Sequence, residues 1–317
     1  MNLSQLFMVG LPADNNLDFV RDFEPGGVIL MGRNARPFEE VAELGRQLRE
    51  ISGNPMIASD HEGGRVQRLK EGFEILPPAR QVAELGTENV RQVAARVAEQ
   101  LNGAGLNFNF APVCDVPTHG GDTVIGKRAF STDFDEAGLF VAAYVDGLQG
   151  KLRVGACAKH FPGHGGVGVD SHFGLPTFSG SRDELESHLE PFRAAIEAGV
   201  SAIMVAHIAV MELDPSGAPA SLSQPVISGL LRGELGFDGL VVSDDLEMGA
   251  LETISTGAIA VRALNAGCDL LLFCHTAQKA IEAREAVELA LKNGRLAPER
   301  VEDALARIAA WKQTFAS

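Results

Sequence analysis

No apolar stretch in the 317 residues reaches the length of about 18 that a membrane-spanning helix needs, so no span is expected. The opening residues, MNLSQLFMVGLPADNN, hold no basic cluster, long apolar run or small-residue cleavage site, and no secretory leader is expected. Positive charge is scarce: 27 Lys and Arg stand against 42 Asp and Glu, a formal net charge of −15. That balance repels phosphate backbones and anionic membranes, which argues against nucleic acid and membrane partners. Only four cysteines occur, Cys114, Cys157, Cys268 and Cys274, none in a CxxC pair and all in or beside apolar runs. Buried reduced thiols are the expectation, and with no leader they place the chain in the cytoplasm. One tryptophan and one tyrosine, Trp311 and Tyr144, fall in helix-like stretches. Clefts for long polysaccharides need aromatic platforms, so a small pocket is expected instead. No Gly-x-Gly-x-x-Gly follows the first apolar run and no Walker motif occurs, which removes two nucleotide-binding readings.

What the chain does have is 45% hydrophobic residues, 35 glycines and a regular alternation. Short apolar runs at Leu6–Gly10, Gly27–Met31, Pro55–Asp60, Leu106–Val113, Ala156–His160, Ala202–His207, Leu240–Asp244 and Asp269–His275 read as parallel strands buried on both faces. Amphipathic stretches lie between them at Phe38–Ile51, Glu88–Asn102, Asp135–Leu148, Ser181–Ala198, Ser223–Leu235, Thr253–Ala266 and Ala277–Asn293, with a closing helix at Ala297–Thr314. Asp60, His160, His207, Asp244 and His275 each end a strand run. In a (β/α)₈ barrel these ends converge on one rim, whereas a doubly wound sheet would string them along a line. The expected fold is α/β, a single (β/α)₈ TIM-type barrel over residues 1–317, with no linker or charge run to divide it.

Four clusters carry chemistry. In SDHEGGRVQR, Asp60 ends a strand ahead of two glycines, Arg65 and Arg68. The glycines permit a tight turn close to a ligand, and an acid beside a base suits hydroxyl recognition; a structural Asp–Arg pair closing the loop is equally compatible. In VIGKRAF, Arg128 is a candidate contact, although a lone loop arginine reads first as a solvated charge, and Lys127 as surface. KHFPGHGGVGVDSHFGLP places Lys159 and His160 at the end of the fifth strand and His164, Asp170 and His172 on the long glycine-rich loop that leaves it. His160 and His164 are four apart, but Pro162 and the glycines exclude the helix on which that spacing would bind zinc. Asp170 and His172 share a face if extended, so a carboxylate can orient the imidazole for proton transfer, the alternative being a loop staple. In GLVVSDDLEMGA, Asp244 ends a buried strand and Asp245 follows; one can point into the barrel mouth while the other caps the next turn.

Taken in order, SDHEGGRVQR, FAPVCDV, VIGKRAF, KHFPGHGGVGVDSH and VVSDDLEM resemble the single-domain β-N-acetylglucosaminidases of glycoside hydrolase family 3, the peptidoglycan-recycling type, over roughly Gly27 to Ala250. The resemblance implies a retaining exo-acting enzyme with Asp244 as nucleophile, His172 as acid/base and Asp170 as its orienting partner. Asp60, Arg68, Arg128, Lys159, His160 and His207 match the family's sugar-pocket residues. It implies no cofactor and no metal, a GlcNAc-containing muropeptide or chitooligosaccharide as substrate, and a monomer. The sequence departs from the family's pattern at Asn109, at Pro117–Thr123 and at Lys127, the last two on the expected pocket rim. The rival expectations are a family 3 β-glucosidase, which lacks the Asp–His pair, an inactive sugar-binding protein on the same barrel, and a metal hydrolase using His160, His164 and His172.

Overall fold

The computed structural model describes residues 1–51, 54–118, 124–167 and 175–316. Eight parallel strands follow one another in sequence order: β1 (Phe7–Gly10), β2 (Gly27–Leu30), β3 (Met56–Ser59), β4 (Phe108–Asn109), β5 (Gly155–Phe161), β6 (Ala202–Val205), β7 (Leu240–Ser243) and β8 (Leu271–Phe273). Strand β1 also pairs with β8, and β7 meets β8 at Val242 and Leu270, where Ser243 N donates to Leu270 O at 3.0 Å. The sheet thus closes into a barrel and leaves no long edge for another chain to pair with.

Sequence and closure explain each other. FMVG, GVIL, MIAS, AIMV, LVVS and LLF are apolar at nearly every position because one set of side chains fills the barrel and the other faces helices. The surrounding helices carry one apolar stripe each. In Thr87–Gly103, Val90, Val93, Ala94, Val97 and Leu101 recur at three- and four-residue spacing and are buried. Helix starts use the expected caps: Ser181 and Glu184 exchange hydrogen bonds ahead of Arg182–Glu197, and Asp133 accepts from Glu136 N ahead of Phe134–Gln149.

All eight expected strands form, but β4 spans two residues, not the eight of Leu106–Val113. Pro112 lacks an N–H, and Asn107 and Asn109 turn their side-chain amides onto Ile57 N and His61 N, supplanting part of the ladder. The stretch expected at Ser223–Leu235 is a wide helix, Pro225–Glu234, in which Leu235 N reaches back five residues to Leu230 O at 2.9 Å. Trp311 lies at the bottom of the barrel with its ring 4.6 Å from that of Phe108, as its helical placement implied. All four cysteines are buried and free. No helix among the described residues is long and apolar enough to cross a membrane.

Just before β8, buried Asp269 accepts Arg232 Nη2 at 2.7 Å, Arg300 Nη2 at 2.5 Å and Val241 N at 2.9 Å. This knot ties the wide helix and the closing helix, Pro298–Phe315, to the seam where the barrel closes.

Candidate functional site

At the C-terminal ends of the strands lies a cavity of 630 Å³. Parallel register decides which side chains face it. Ile29 pairs with Ala58, and Met204 with Val242; Asp60 and Asp244 come two residues after those partners, so all four side chains face the cavity. The apolar floor comes from the even strands and their ends, Ile29, Phe110, Met204 and Leu272, and most charged groups from the odd ones, Asp60, Lys159, His160 and Asp244. Alternate strands fill alternate layers of such a barrel. Lys159 and His160 are adjacent yet both line the cavity, because the register of β5 against β6 slips between Ala158 and Phe161.

A continuous ion network lines one wall. Lys159 Nζ donates to Asp60 Oδ1 at 2.7 Å and lies 2.6 Å from Glu62 Oε1. Arg128 grips Glu62 with two bonds, Nε and Nη2 each at 2.8 Å. Arg68 Nη2 lies 3.4 Å from Asp60 Oδ2. The solvated-charge reading of Arg128 therefore gives way: its carboxylate partner was two residues beyond Asp60. Asp60 and Arg68 do pair, but Lys159 is the closer partner of Asp60. Gly63 and Gly64 have positive φ and form the expected tight turn, although what approaches them is Pro77 and Pro78 and not the cavity.

His160 is oriented by Asp115, whose Oδ2 lies 2.6 Å from Nδ1 while Oδ1 accepts the backbone N–H of His164 at 2.6 Å. Burial pushes the Asp115 carboxyl up, but the charges and hydrogen bonds of His160 and His164 bring it down to about 2. As an anion it accepts the proton on His160 Nδ1, which leaves Nε2 as an acceptor 3.5 Å from Arg128 Nη2. The start of the long loop is fixed by close approach: a Cβ on Gly165 would collide with the Val116 carbonyl, and one on Gly166 would press on the His188 ring.

Asp244 lines the cavity, and Asp245 N donates to its Oδ1 at 2.8 Å. Burial raises its pKa, but nearby His160, His207 and Lys159 and that backbone bond outweigh burial and keep the carboxyl below its usual range. Asp245 also lines the cavity, but its carboxylate caps the next turn, as was expected of one acid of the pair. Its carboxylate accepts Glu247 N at 3.2 Å and Cys274 N at 3.1 Å, and lies 3.3 Å from His275 Nε2. His207 does not line the cavity. It is fully buried, with Nε2 donating to the Asp245 carbonyl at 2.9 Å and Nδ1 2.7 Å from Ser221 Oγ. Of the positions read from the sequence, Asp60, Arg68, Arg128, Lys159, His160 and Asp244 line one cavity. Asp170 and His172 lie outside the described residues. Among the described residues, no group of three or more His, Cys, Asp and Glu is placed to hold a metal ion.

Sequence reasoning passed over Glu62 and Asp115. Glu62 follows Asp60 at the two-residue spacing that shares a strand face, and Asp115 is an acid just past an apolar run, so both had a signal. His61, between the two wall carboxylates, points away. Its ring is buried against Phe73, 5.8 Å between centroids, with neither nitrogen hydrogen-bonded, and burial pushes its pKa down to about 4. The unfolded chain, with a histidine near 6.5, binds this proton first, so stability falls as pH drops from about 6.5 to about 4. Urea melts of His61→Leu should lack about 3 kcal/mol of the stability that the parent loses between pH 7 and pH 4. Equal acid losses in the two proteins would refute the assignment.

Comparison with known proteins agrees with this geometry. The model of the glycosyl hydrolase family 3 N-terminal domain matches residues 1–311. The β-hexosaminidase of Stenotrophomonas maltophilia is 38% identical over 270 residues, 81% of this chain and 78% of that protein. The β-hexosaminidase of Tolumonas auensis is 40% identical over 263 residues, 81% and 77% of the two chains. Among solved structures, the family 3 β-N-acetylglucosaminidase from Paenibacillus sp. str. FPU-7 superposes with a TM-score of 0.94 at 37% identity, covering 99% of this chain and 62% of that longer one. The β-N-acetylhexosaminidase from Beutenbergia cavernae superposes at 0.90 with 30% identity, covering 98% and 97%. With that match over nearly its whole length, and a closed barrel whose strand ends carry the site, the chain belongs to glycosyl hydrolase family 3.

Proposed function

We propose that the chain is a retaining β-N-acetylhexosaminidase that releases terminal, non-reducing β-linked N-acetylglucosamine, with GlcNAc-anhydroMurNAc muropeptides of cell-wall recycling as its substrates and the cytoplasm as its place of action. The observation that carries this reading is the Asp244 carboxylate, kept anionic inside a cavity whose wall offers Asp60, Lys159, Arg128 and His160 to sugar hydroxyls. The similarity to β-hexosaminidases supports the choice of sugar.

In this reading Asp244 attacks the anomeric carbon through Oδ2, since Oδ1 is engaged by the Asp245 amide. His172, oriented by Asp170, protonates the leaving oxygen, and the glycosyl–Asp244 ester forms as the glycosidic bond breaks. His172 then takes a proton from water, which cleaves the ester with net retention. Among the described residues Phe110 is the one Phe, Tyr or Trp lining the cavity of 630 Å³, which suits one sugar ring better than a polymer.

The test compares p-nitrophenyl N-acetyl-β-glucosaminide with p-nitrophenyl β-glucoside and follows the first-formed anomer by NMR. The expected result is strong preference for the acetamido sugar and initial release of the β-anomer. Preference for glucoside would move the chain to the family's β-glucosidases. No turnover of either, with sugar still bound, would make it a binding protein on the same barrel.

A further inference from the structure

Glu62 is the one wall carboxylate that does not line the cavity, yet it makes the densest set of ionic contacts there. Its side chain is 5% exposed and that of Lys159 3%, so both are out of bulk water. Three charged hydrogen-bonding contacts converge on it, two from Arg128 at 2.8 Å and one from Lys159 at 2.6 Å. We infer that Glu62 is a positioning residue for sugar binding: it presets Arg128 and Lys159 so that only their remaining N–H groups are offered to the terminal sugar.

Donor counting gives this content. An ammonium has three N–H bonds. One goes to Asp60 and one to Glu62, which leaves one for a sugar hydroxyl. Arg128 spends Nε and one Nη2 proton on Glu62 and an Nη1 proton on the Val124 carbonyl at 3.3 Å, and its Nη2 also lies 3.5 Å from His160 Nε2. Both cations are thereby fixed before the ligand arrives, so binding orders fewer long side chains. Removing the charge of Glu62 would leave two neighbouring buried cations sharing the single carboxylate of Asp60. The ionic groups around Lys159 are Asp60 and Glu62 after β3, Arg128 on the Gly126–Arg128 turn, and Asp244 at the end of β7, with the Cys157 thiol on its own strand. Burial pushes the Glu62 carboxyl up, and the two cations hold it down at about 2, so it is an anion throughout the working range.

The inference rests on the hexosaminidase reading but is read out separately. The parent, Glu62→Gln and Glu62→Asp are compared by KM and kcat on p-nitrophenyl N-acetyl-β-glucosaminide, by titration with N-acetylglucosamine, and by Tm. Glu62→Gln is expected to raise KM and Kd by about 30-fold with kcat within about 5-fold. Glu62→Asp should restore part of the affinity. A merely structural role would lower Tm and the active fraction and leave KM and Kd at the parent values, and that result overturns the inference. Should Glu62→Gln fail to fold, Glu62→Asp decides alone: a weakened Kd with kcat retained supports it, and a parent-like Kd overturns it. An inactive parent would defeat the functional reading, while N-acetylglucosamine affinity would still report on Glu62.

Discussion

Asp244→Ala should lower kcat/KM on p-nitrophenyl N-acetyl-β-glucosaminide by at least about 10⁴-fold, whereas His172→Ala should cost that substrate about 10²-fold or less. The asymmetry follows from the leaving group. A nitrophenolate departs with little protonation, so the imidazole is dispensable in the first step and is missed in the second, where it activates water. No group can replace the attacking oxygen. The cavity's cations keep Asp244 ionised but offer no oxygen in its place. Steady-state kinetics with a pre-steady-state burst measurement check both halves, and His172→Ala should show a burst because its second step becomes limiting. Equal losses for the two variants on the aryl substrate would remove the division of labour between residues 244 and 172.

The largest effect on stability is expected for Asp269→Ala, a loss of about 3–5 kcal/mol in reversible urea unfolding. Asp269 is fully buried and takes the guanidinium groups of Arg232 and Arg300, with that of Arg307 4.0 Å away. Burying these charges was costly. The penalty is offset only while the carboxylate is present, so removing it strands cations against the barrel bottom and leaves Val241 N without its acceptor. The contacts also close the ring of strands, so the loss should be cooperative and not a fraying of the last helix. A variant that retained parent stability would show that the seam between β7 and β8 is held by packing alone.

The barrel was legible because its signals are redundant. Eight apolar runs, each followed by an amphipathic stretch, leave few alternatives, and polar residues at the run ends mark the rim. The short β4 was not legible, because Leu106–Val113 is apolar enough for a full strand, and the side-chain bonding of Asn107 and Asn109 that interrupts it beside Pro112 appears only on folding. The site was read one residue at a time, and that is where it fell short. Arg128 looked solvated because its partner, Glu62, is 66 positions away in sequence. His207 was expected in the pocket because it matches a family pocket histidine, but past Val205 the chain turns and the buried ring is bonded to the Asp245 carbonyl. Asp115 and Glu62 belong to charge pairs that exist only after folding, so neither has meaning until Lys159, His160 and Arg128 arrive beside it.

The division of the cavity between strands has an evolutionary corollary. Depth is set by Ile29, Phe110, Met204 and Leu272, while hydrogen-bonding identity resides chiefly on the other set of strands. Exchanging one floor residue for a smaller or larger one alters the volume of the cavity without touching the ionic groups on the other strands. Under the proposed reading, descendants of such a chain drift in sugar preference by changing volume alone and keep the groups proposed to act at the anomeric carbon.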